Sequence, residues 1–179
     1  KMVKQFLLKE LHLSMSEPIL IDIVSYKDHR GTFYESYTPD ILNKYGIDAT
    51  FVQDCHSISA KNVVRGMHYQ WDKPLAKLVR VSCGSILDVL VDIRKNLSTF
   101  GQVSYYELSS SNLKQLWVPA GFAHGFVSLE DNSHVQYKFT ERYNKNGEGT
   151  INPFDSSLNI KWNVALEECL ISDKDKNSQ

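Results

Sequence analysis

The chain has 179 residues, a length that suits one domain with a single core better than two domains. Hydrophobic residues make up 42% of the sequence and charged residues 23%, close to the average for globular proteins, which excludes disordered and fibrous classes. Lys and Arg number 20 against 21 Asp and Glu, so the formal charge is -1 and no overall basic field exists to hold a nucleic acid or an anionic membrane. We therefore expect any anionic ligand to be held by a few local cations.

The N-terminal residues 1–17 have a basic start and several leucines. Lys9, Glu10 and His12 interrupt the apolar run before it could form the core of a signal peptide. We expect a short amphipathic helix or a loose arm here, followed by one domain over residues 18–179. No apolar stretch approaches the roughly 18 residues that a membrane span needs, and the odd number of cysteines, three, favours a reducing, cytoplasmic compartment.

The first regular element in chain order is a short helix of about two turns. Thr38 is suited to cap its N-terminus, Pro39 to occupy its first position and Gly46 to end it. The segments that follow have the composition and the period of strands, so we expect this helix to lie at the periphery of a β protein.

Two strand-like segments, 77–82 and 86–94, follow the helix and are separated by a turn at Gly84. In the second segment Asp88 and Asp92 lie on the face opposite the apolar residues, a period of two that is typical of a half-buried strand. We predict that the two segments pair as a hairpin and that Asp92 faces solvent. For Asp88 both a solvated position and a position inside the fold stay open.

A second pair of strand-like segments, 126–129 and 134–140, flanks polar residues 130–133, which are of the kind that close a hairpin. Tyr137 lies on the apolar face of the later strand. A further strand is predicted over 158–162. Many short strands with little helix favour an antiparallel sandwich or barrel, and a barrel of this kind can bury a small ligand.

The densest polar cluster in the sequence consists of Arg65, His68 and Lys77. Two cations and an imidazole in one segment of a nearly neutral protein indicate an anionic, oxygen-rich ligand, because Arg and Lys form charge-assisted hydrogen bonds with phosphate and carbonyl oxygens. Arg65 and His68 are three residues apart, so an ideal strand would point them to opposite faces. A bulge at Gly66 would bring them together.

A second cluster, from Pro119 through Gly121 to His124, has the P-x-G-x-x-H spacing that forms half of the cupin signature. The other half would be an H-x-H pair that supplies metal ligands, and the corresponding residues here are His68 and Gln70. Because Gln is a poor ligand for transition metals, these segments cannot assemble a three-histidine metal site. They predict a cupin-like barrel without a metal, in which His124 either binds a ligand or has a structural role.

Ordered motifs over nearly the whole chain carry a specific resemblance. The motifs are D-x-R-G-x-F-x-E at 28–35, F-x-Q-D at 51–54, R-G-M-H-Y-Q at 65–70, K-L-V-R at 77–80, D-V-L-V-D-I-R at 88–94, W-V-P-A-G-F-A-H-G-F at 117–126, Y-K-F-T-E-R-Y at 137–143 and S-D-K-D at 172–175. From about residue 18 to 176 the sequence resembles the dTDP-4-dehydrorhamnose 3,5-epimerase family, sugar-nucleotide epimerases of the cupin superfamily. The resemblance implies an all-β fold, a cupin-type jelly-roll β-barrel with a few short peripheral helices.

The resemblance also implies roles for the matched residues. It implies His68 as the base that removes a proton from a sugar carbon, with Asp175 holding the other ring nitrogen. Tyr137 is implied as the acid that returns a proton from the opposite face, and Lys77 as the cation beside the 4-keto oxygen. Tyr143 matches an aromatic residue that stacks on the nucleotide base, and further matched positions surround the nucleotide sugar: Arg30, Glu35, Gln53, Arg65, His124, Glu148 and Lys174.

The implied reaction is a cofactor-free inversion of carbons 3 and 5 of a nucleoside-diphosphate 4-keto-6-deoxyhexose, from dTDP-4-dehydro-6-deoxyglucose to dTDP-4-dehydrorhamnose. The implied partners are the nucleotide sugar and a second copy of the chain in a homodimer, with no metal, nucleic acid or membrane. We expect residues 19–24 to take part in strand exchange between subunits, which would cover exposed backbone groups. The chemistry fits the residue types, because both carbons flank the carbonyl and their protons become removable once a cation stabilises the enolate oxygen.

Two departures from the family pattern are expected near the ligand: Cys55 replaces a common Asn, and Ile58 replaces a frequent polar or cationic residue. They leave open which sugar and which base are bound. A single-carbon 3- or 5-epimerase acting on another nucleotide sugar is therefore an alternative, and a non-catalytic sugar-binding cupin is a second one. The joint presence of an acid and a base argues against the second alternative, because binding alone does not need them on opposite faces.

Overall fold

The computed structural model describes residues 17–178, so the predicted N-terminal arm lies outside the described residues except for Glu17. The strands are β1 (Ile19–Ile21), β2 (Ser25–Asp28), β3 (Gly31–Tyr34), β4 (Gln53–Ser59), β5 (Val64–Gln70), β6 (Lys77–Cys83), β7 (Ser85–Asp92), β8 (Val103–Ser109), β9 (Gln115–Val118), β10 (Phe122–Ser128), β11 (Ser133–Phe139) and β12 (Glu148–Thr150). The helical elements are α1 (Pro39–Asn43), α2 (Asp173–Lys176) and 3-10 turns at Lys145–Gly147 and Leu166–Glu168. No helix between residues 17 and 178 is long and apolar enough to cross a membrane.

Ten strands form two five-stranded antiparallel sheets that pack against each other. The first sheet has the order β1-β9-β6-β11-β4, the second has the order β12-β5-β10-β7-β8, and β2 and β3 form a separate two-stranded ribbon. The main hydrophobic core takes residues from both sheets, including Val79 and Val135 of the first and Leu90 and Phe126 of the second. The predicted all-β, cupin-type jelly-roll barrel with short peripheral helices is confirmed.

The connection at Gly84 joins the two sheets and corrects the first predicted hairpin. Residues 77–82 and 86–94 lie in strands for most of their length, but β6 pairs with β9 and β11, whereas β7 pairs with β8 and β10. Gly84 has a φ of +73°, and a Cβ there would lie 2.5 Å from the hydroxyl oxygen of Ser133. A single glycine in this conformation turns the chain from one layer to the other, whereas a hairpin would need both strands in one layer.

The second predicted hairpin is wrong for the same reason. β10 belongs to the second sheet and β11 to the first, so polar residues 130–133 connect two layers rather than two neighbouring strands. The Ser133 hydroxyl stabilises this connection, because it lies within hydrogen-bond distance of the backbone carbonyls of Ser85 and Glu130. Short polar connections serve a hairpin and a corner between sheets equally well, and the strand pattern does not distinguish them.

β7 is buried on both faces, which determines the surroundings of its two aspartates. Asp88 lies inside the barrel, where it is bonded to His124. The expectation that Asp92 faces solvent is wrong: it is 2% exposed and accepts hydrogen bonds from Arg94 and Thr99. Burial alone would raise the pKa of Asp92, but the hydrogen bonds from Arg94 and Thr99 outweigh it and lower the pKa. The polar face of this strand is therefore buried together with its charge partners.

The predicted short helix is confirmed as α1, which covers the outer face of the first sheet. The Thr38 hydroxyl accepts a hydrogen bond from the backbone N–H of Ile41, and Pro39 occupies the first helical position. The regular helix ends at Asn43, and a turn continues to Gly46. The buried side chain of Leu42 fixes the helix in a smaller hydrophobic core on this face.

An irregular segment, rather than the predicted strand over 158–162, covers the outer face of the second sheet. Trp162 is buried there, and its Nε1–H donates to the backbone carbonyl of Pro153 at 2.8 Å. The apolar residues of this segment thus serve a core, but the backbone has no ladder partner. Apolar alternation over five residues does not distinguish these two arrangements.

The N-terminal strands differ in how they are covered. β1 pairs with β9 of the same chain over residues 19–21, so the start of the segment expected in strand exchange has an intrachain partner. The β2–β3 ribbon lies apart from both sheets, and Tyr26 and Phe33 are 65% and 69% exposed. β1 is also the edge strand of the first sheet, and Val24 is 71% exposed, so strand exchange through residues 19–24 stays a prediction.

Candidate active site

A cavity of about 530 Å³ opens between the two sheets, a volume within the range of small-molecule sites. The first sheet contributes Lys77 of β6 and Tyr137 of β11 to its wall. The second sheet contributes Arg65 and His68 of β5 and His124 of β10. The two clusters predicted from the sequence therefore meet here, and a ligand in the cavity would be flanked by residues of both sheets.

A bulge in β5 brings Arg65 and His68 to the same cavity. His124 of β10 is opposite His68 and Phe126 is opposite Arg65, so three residue steps of β5 match two steps of β10. Gly66 within the bulge has a φ of +122°, and a Cβ there would lie 2.6 Å from the backbone of β10. The predicted bulge is confirmed, and the position needs glycine for both conformation and space.

A carboxylate from the short C-terminal helix holds His68. Nε2 of His68 lies 2.7 Å from one oxygen of Asp175, and the other oxygen accepts from the backbone N–H of Gly66 at 3.2 Å. The Ser172 hydroxyl caps α2 by accepting from the backbone N–H of Asp175. Burial alone would raise the pKa of Asp175, but the hydrogen bonds with His68 and Gly66 outweigh it and lower the pKa. Because an ionised carboxylate only accepts, we assign the ring proton to Nε2, which leaves Nδ1 as the basic atom of the neutral imidazole.

Lys77, His124 and Asp88 form a buried chain of polar groups at the cavity wall. Nζ of Lys77 lies 3.4 Å from Nδ1 of His124, whose Nε2 lies 2.9 Å from an oxygen of Asp88. The second oxygen of Asp88 has no hydrogen-bond partner among residues 17–178. Burial lowers the pKa of Lys77 to about 8, and the charge of Asp88 acts in the opposite direction. Burial also lowers the pKa of His124, so this imidazole is neutral at physiological pH.

Tyr137 extends from β11 into the cavity on the side opposite β5. Its hydroxyl lies 3.0 Å from the Ser57 hydroxyl on β4, and its ring centroid lies 6.2 Å from those of His124 and Phe139. Burial raises the pKa of Tyr137, and the hydrogen bond with Ser57 opposes that rise. The phenol is therefore protonated at neutral pH and can serve as a proton donor.

Tyr143, Glu148 and Lys174 form a hydrogen-bonded group beside the cavity. The Tyr143 hydroxyl donates to a carboxylate oxygen of Glu148 at 2.9 Å, and Lys174 forms an ion pair with the same oxygen. Gln53 supports this group by accepting from the backbone N–H of Tyr143. Tyr143 is 47% exposed, so its ring is accessible to a planar ligand, and Lys174 also lines the cavity. The group and the cavity thus form one continuous site.

A family model described as dTDP-4-dehydrorhamnose 3,5-epimerase matches residues 12–179. The chain belongs to this family. A relative named dTDP-4-dehydrorhamnose 3,5-epimerase from Methanothermobacter thermautotrophicus is 41% identical over 165 residues, which cover 92% of this chain and 89% of the relative. The protein is a carbohydrate epimerase of this type, an isomerase.

Two solved structures of epimerases are similar over almost their whole length. The dTDP-4-dehydrorhamnose 3,5-epimerase from Bacillus anthracis, crystallised with TDP and PPi, has a TM-score of 0.87 and 39% identity over 91% of this chain and 93% of that one. The dTDP-6-deoxy-D-glucose-3,5-epimerase from Legionella pneumophila, in complex with dTDP-4-keto-L-rhamnose, has a TM-score of 0.84 and 38% identity over 90% of this chain and 92% of that one.

Two residues implied for substrate binding, Arg30 and Glu35, lie away from the cavity. The Arg30 side chain, at the turn of the ribbon, is 80% exposed and paired with Asp28. Glu35 follows β3 and is exposed. The other implied residues line the cavity or belong to the group beside it.

Gln70 of the epimerase has a structural role. Its Nε2 donates to the backbone carbonyls of Lys73 and Arg142, and its Oε1 accepts from the backbone N–H of Asn144 at 2.8 Å. The amide thereby fixes the chain on both sides of Tyr143. This use accounts for a glutamine at the position where the cupin signature would have a histidine.

Sequence reasoning missed the support that β4 gives to the epimerase site. Ser57 contacts the Tyr137 hydroxyl, and Ser59 accepts a hydrogen bond from Nε of Arg65 at 3.1 Å. The alternating burial of residues 53–59 places both serines on the inward face. A period-of-two analysis of this segment could have predicted that face, although not the contacts.

The two departures from the family pattern have different surroundings. Cys55 lines the cavity directly opposite Tyr137 and accepts a hydrogen bond from Gln53. The Ile58 side chain is 57% exposed and does not line the cavity. Of these two residues, only Cys55 lines the cavity.

Proposed function

We propose that this epimerase inverts carbons 3 and 5 of dTDP-4-dehydro-6-deoxyglucose and so produces dTDP-4-dehydrorhamnose. The observation that carries the proposal is the placement of an imidazole, His68, and a phenol, Tyr137, on different sheets around one cavity. Inversion needs a base and an acid that reach the same carbon from opposite sides. The relatives crystallised with TDP and with dTDP-4-keto-L-rhamnose support a nucleotide sugar of this class as the ligand.

In the proposed first step, Nδ1 of His68 takes the proton from a carbon next to the 4-keto group. The electron pair of the C–H bond forms a carbon–carbon double bond, and the carbonyl electrons move onto oxygen to give an enolate. Asp175 would favour the imidazolium, because its carboxylate lies 2.7 Å from Nε2. Lys77, which is charged below its pKa of about 8, would stabilise the enolate oxygen.

In the proposed second step, Tyr137 returns a proton to the opposite face of the same carbon, and the enolate electrons restore the carbonyl. The raised pKa of Tyr137, caused by burial, keeps the phenol protonated until it is needed. The site is reset when the imidazolium loses a proton and the phenolate gains one through solvent. The same sequence then applies to the second carbon.

The nucleotide part of the substrate would be held by residues at and beside the cavity. Arg65 and Lys174 both line the cavity and carry the charge that a diphosphate requires. The half-exposed ring of Tyr143 offers a face for stacking by a nucleotide base. These groups account for the selection of an anionic ligand by a protein with almost no net charge.

We infer that the chain forms a homodimer through the β2–β3 ribbon. A second copy seated there would cover Tyr26 and Phe33 and would allow Arg30 to approach a cavity other than its own. Sedimentation equilibrium should give twice the mass of the chain, and a monomer at micromolar concentration would contradict the inference. The cytoplasmic location stays a prediction from the cysteine count.

Incubation with dTDP-4-dehydro-6-deoxyglucose in deuterated water tests the proposed reaction. NMR of the product should show inverted configuration at both carbon 3 and carbon 5. The proton signals at both carbons should be lost, because deuterium replaces these protons. Deuterium at one carbon alone would favour the single-carbon epimerase. Binding of the nucleotide sugar without any exchange would favour the non-catalytic cupin and overturn the proposal.

A further inference from the structure

Side chains on the inward face of β4 form hydrogen bonds with residues of the cavity wall. Ser59 accepts a hydrogen bond from Arg65, a cation of the cavity wall. Ser57 is two residues earlier on the same face, and its hydroxyl lies 3.0 Å from the hydroxyl of Tyr137. Of these two contacts, only that of Ser57 reaches an atom that gains and loses a proton in the proposed reaction.

The register of β4 and β11 explains why Ser57 reaches the phenolic oxygen. Cys55 is directly opposite Tyr137, and Ser57 is opposite Val135. Ser57 is therefore a diagonal neighbour of Tyr137, a separation that a long aromatic side chain spans. Ser57 does not line the cavity, so a substrate would contact the phenol and not the serine.

We propose that Ser57 is a positioning residue for the proton donor Tyr137. The Ser57 hydroxyl donates to the phenolic oxygen, which leaves the phenolic proton free to point at the sugar carbon. After that proton has been transferred, the same O–H group stabilises the phenolate. The inference rests on the proposed function, because that function gives Tyr137 the role of the acid.

The burial of Tyr137 makes this hydrogen bond important for the reaction. A phenolate formed in an apolar site without a donor is strongly disfavoured. Ser57 is the hydrogen-bond partner of the phenol among residues 17–178. Burial raises the pKa of Tyr137, whereas the Ser57 hydrogen bond lowers it. Because a hydrogen bond to an ionised group is stronger than one to a neutral group, the contact gains strength as the proton leaves, which is where catalysis benefits.

The first experiment compares Ser57→Ala with Ser57→Thr as a matched control that keeps the hydroxyl. Ser57→Ala should lower kcat by about 10- to 100-fold with little change in KM, because the serine acts on the donor and not on the bound substrate. Ser57→Thr should retain most of the activity. An unchanged kcat in Ser57→Ala would overturn the proposal.

Isotope exchange separates positioning from general damage to the site. In deuterated water, Ser57→Ala should still exchange the substrate protons that His68 removes, while inversion slows. The ratio of exchange to inversion should therefore rise above that of the wild-type protein. Exchange and inversion that fall in equal proportion would contradict a role through Tyr137.

A double-mutant cycle completes the test. In a Tyr137→Phe background, Ser57→Ala should have no further effect on the residual rate of inversion, because the group on which it acts is absent. A further loss as large as that in the wild-type background would overturn the proposal. A wild-type protein that exchanges no substrate proton would contradict the proposed function itself, whereas normal inversion by Ser57→Ala would contradict only the role of Ser57.

Discussion

Among residues 17–178, two histidine–carboxylate pairs have the same chemistry and different surroundings. His68 and Asp175 meet at the open side of the cavity, where the imidazole side chain is 30% exposed. His124 and Asp88 meet between the sheets, where the two side chains are 4% and 0% exposed. Both nitrogens of His124 are engaged, by Asp88 and by Lys77, whereas Nδ1 of His68 has no hydrogen-bond partner among residues 17–178. The proposed mechanism uses this difference, because of these two imidazoles only that of His68 has a nitrogen left to accept a proton from a ligand.

Removal of the His68 side chain should have the largest effect on turnover. His68→Ala is expected to lower turnover by at least about 1000-fold, because the proposed mechanism assigns proton abstraction to this imidazole. Binding of dTDP, measured by calorimetry, should stay nearly unchanged. His134→Ala is a suitable control, because His134 does not line the cavity. Turnover of His68→Ala near the wild-type rate would remove His68 from the role of base.

The buried pair of His124 and Asp88, which adjoins Lys77, predicts a change in the pH dependence of kcat. In the proposed mechanism a protonated Lys77 stabilises the enolate oxygen, so kcat should fall as the pH rises through the pKa of about 8. The charge of Asp88 raises that pKa, so Asp88→Asn should move the alkaline limb of the pH–rate profile to lower pH by about one unit. Asp54→Asn, at an exposed ion pair with Lys138, should leave the limb in place. An unmoved limb in Asp88→Asn would show that Asp88 does not act on Lys77.

The pair of His68 and Asp175 predicts a smaller effect, on the free energy of unfolding at acid pH. The pKa of Asp175 is lowered from 3.8 in the folded protein, so its stabilisation is present above about pH 4 and is lost as the pH falls through the folded pKa. Asp175→Asn should reduce the free energy of unfolding by about 1 kcal/mol at neutral pH and by less at about pH 3. Urea unfolding at the two pH values measures the difference. Equal losses at both would point to packing rather than charge.

The residues of the open pair could be predicted from sequence because short motifs carry them. The bulge at Gly66 could also be predicted, since Arg65 and His68 could share a ligand only if the strand departed from ideal geometry. The bulge prediction depends on local chemistry, whereas the pairing of Asp175 with His68 was implied by the family resemblance. Neither prediction requires knowledge of which strands are neighbours.

The surroundings of the buried pair could not be predicted in the same way. A period of two shows which side chains share a face but not which sheet the strand joins, so the corner at Gly84 was expected to be a hairpin. Asp92 has the pattern of a solvated face, although its charge partner Arg94 is buried with it. Ser57 and Tyr137 are 80 residues apart, and no local signal connects them.

The short helix α2 has a consequence for the time at which this protein becomes active. It has four residues, it carries Asp175, and it follows every strand of the barrel in the chain. Asp175 comes 107 residues after the histidine that it orients. During synthesis on the ribosome, the strands of the barrel therefore emerge before Asp175, at a stage when the tautomer of His68 is not yet fixed. Under the proposed mechanism, a nascent chain that stops before residue 173 would hold the imidazole in the cavity without the carboxylate that orients it.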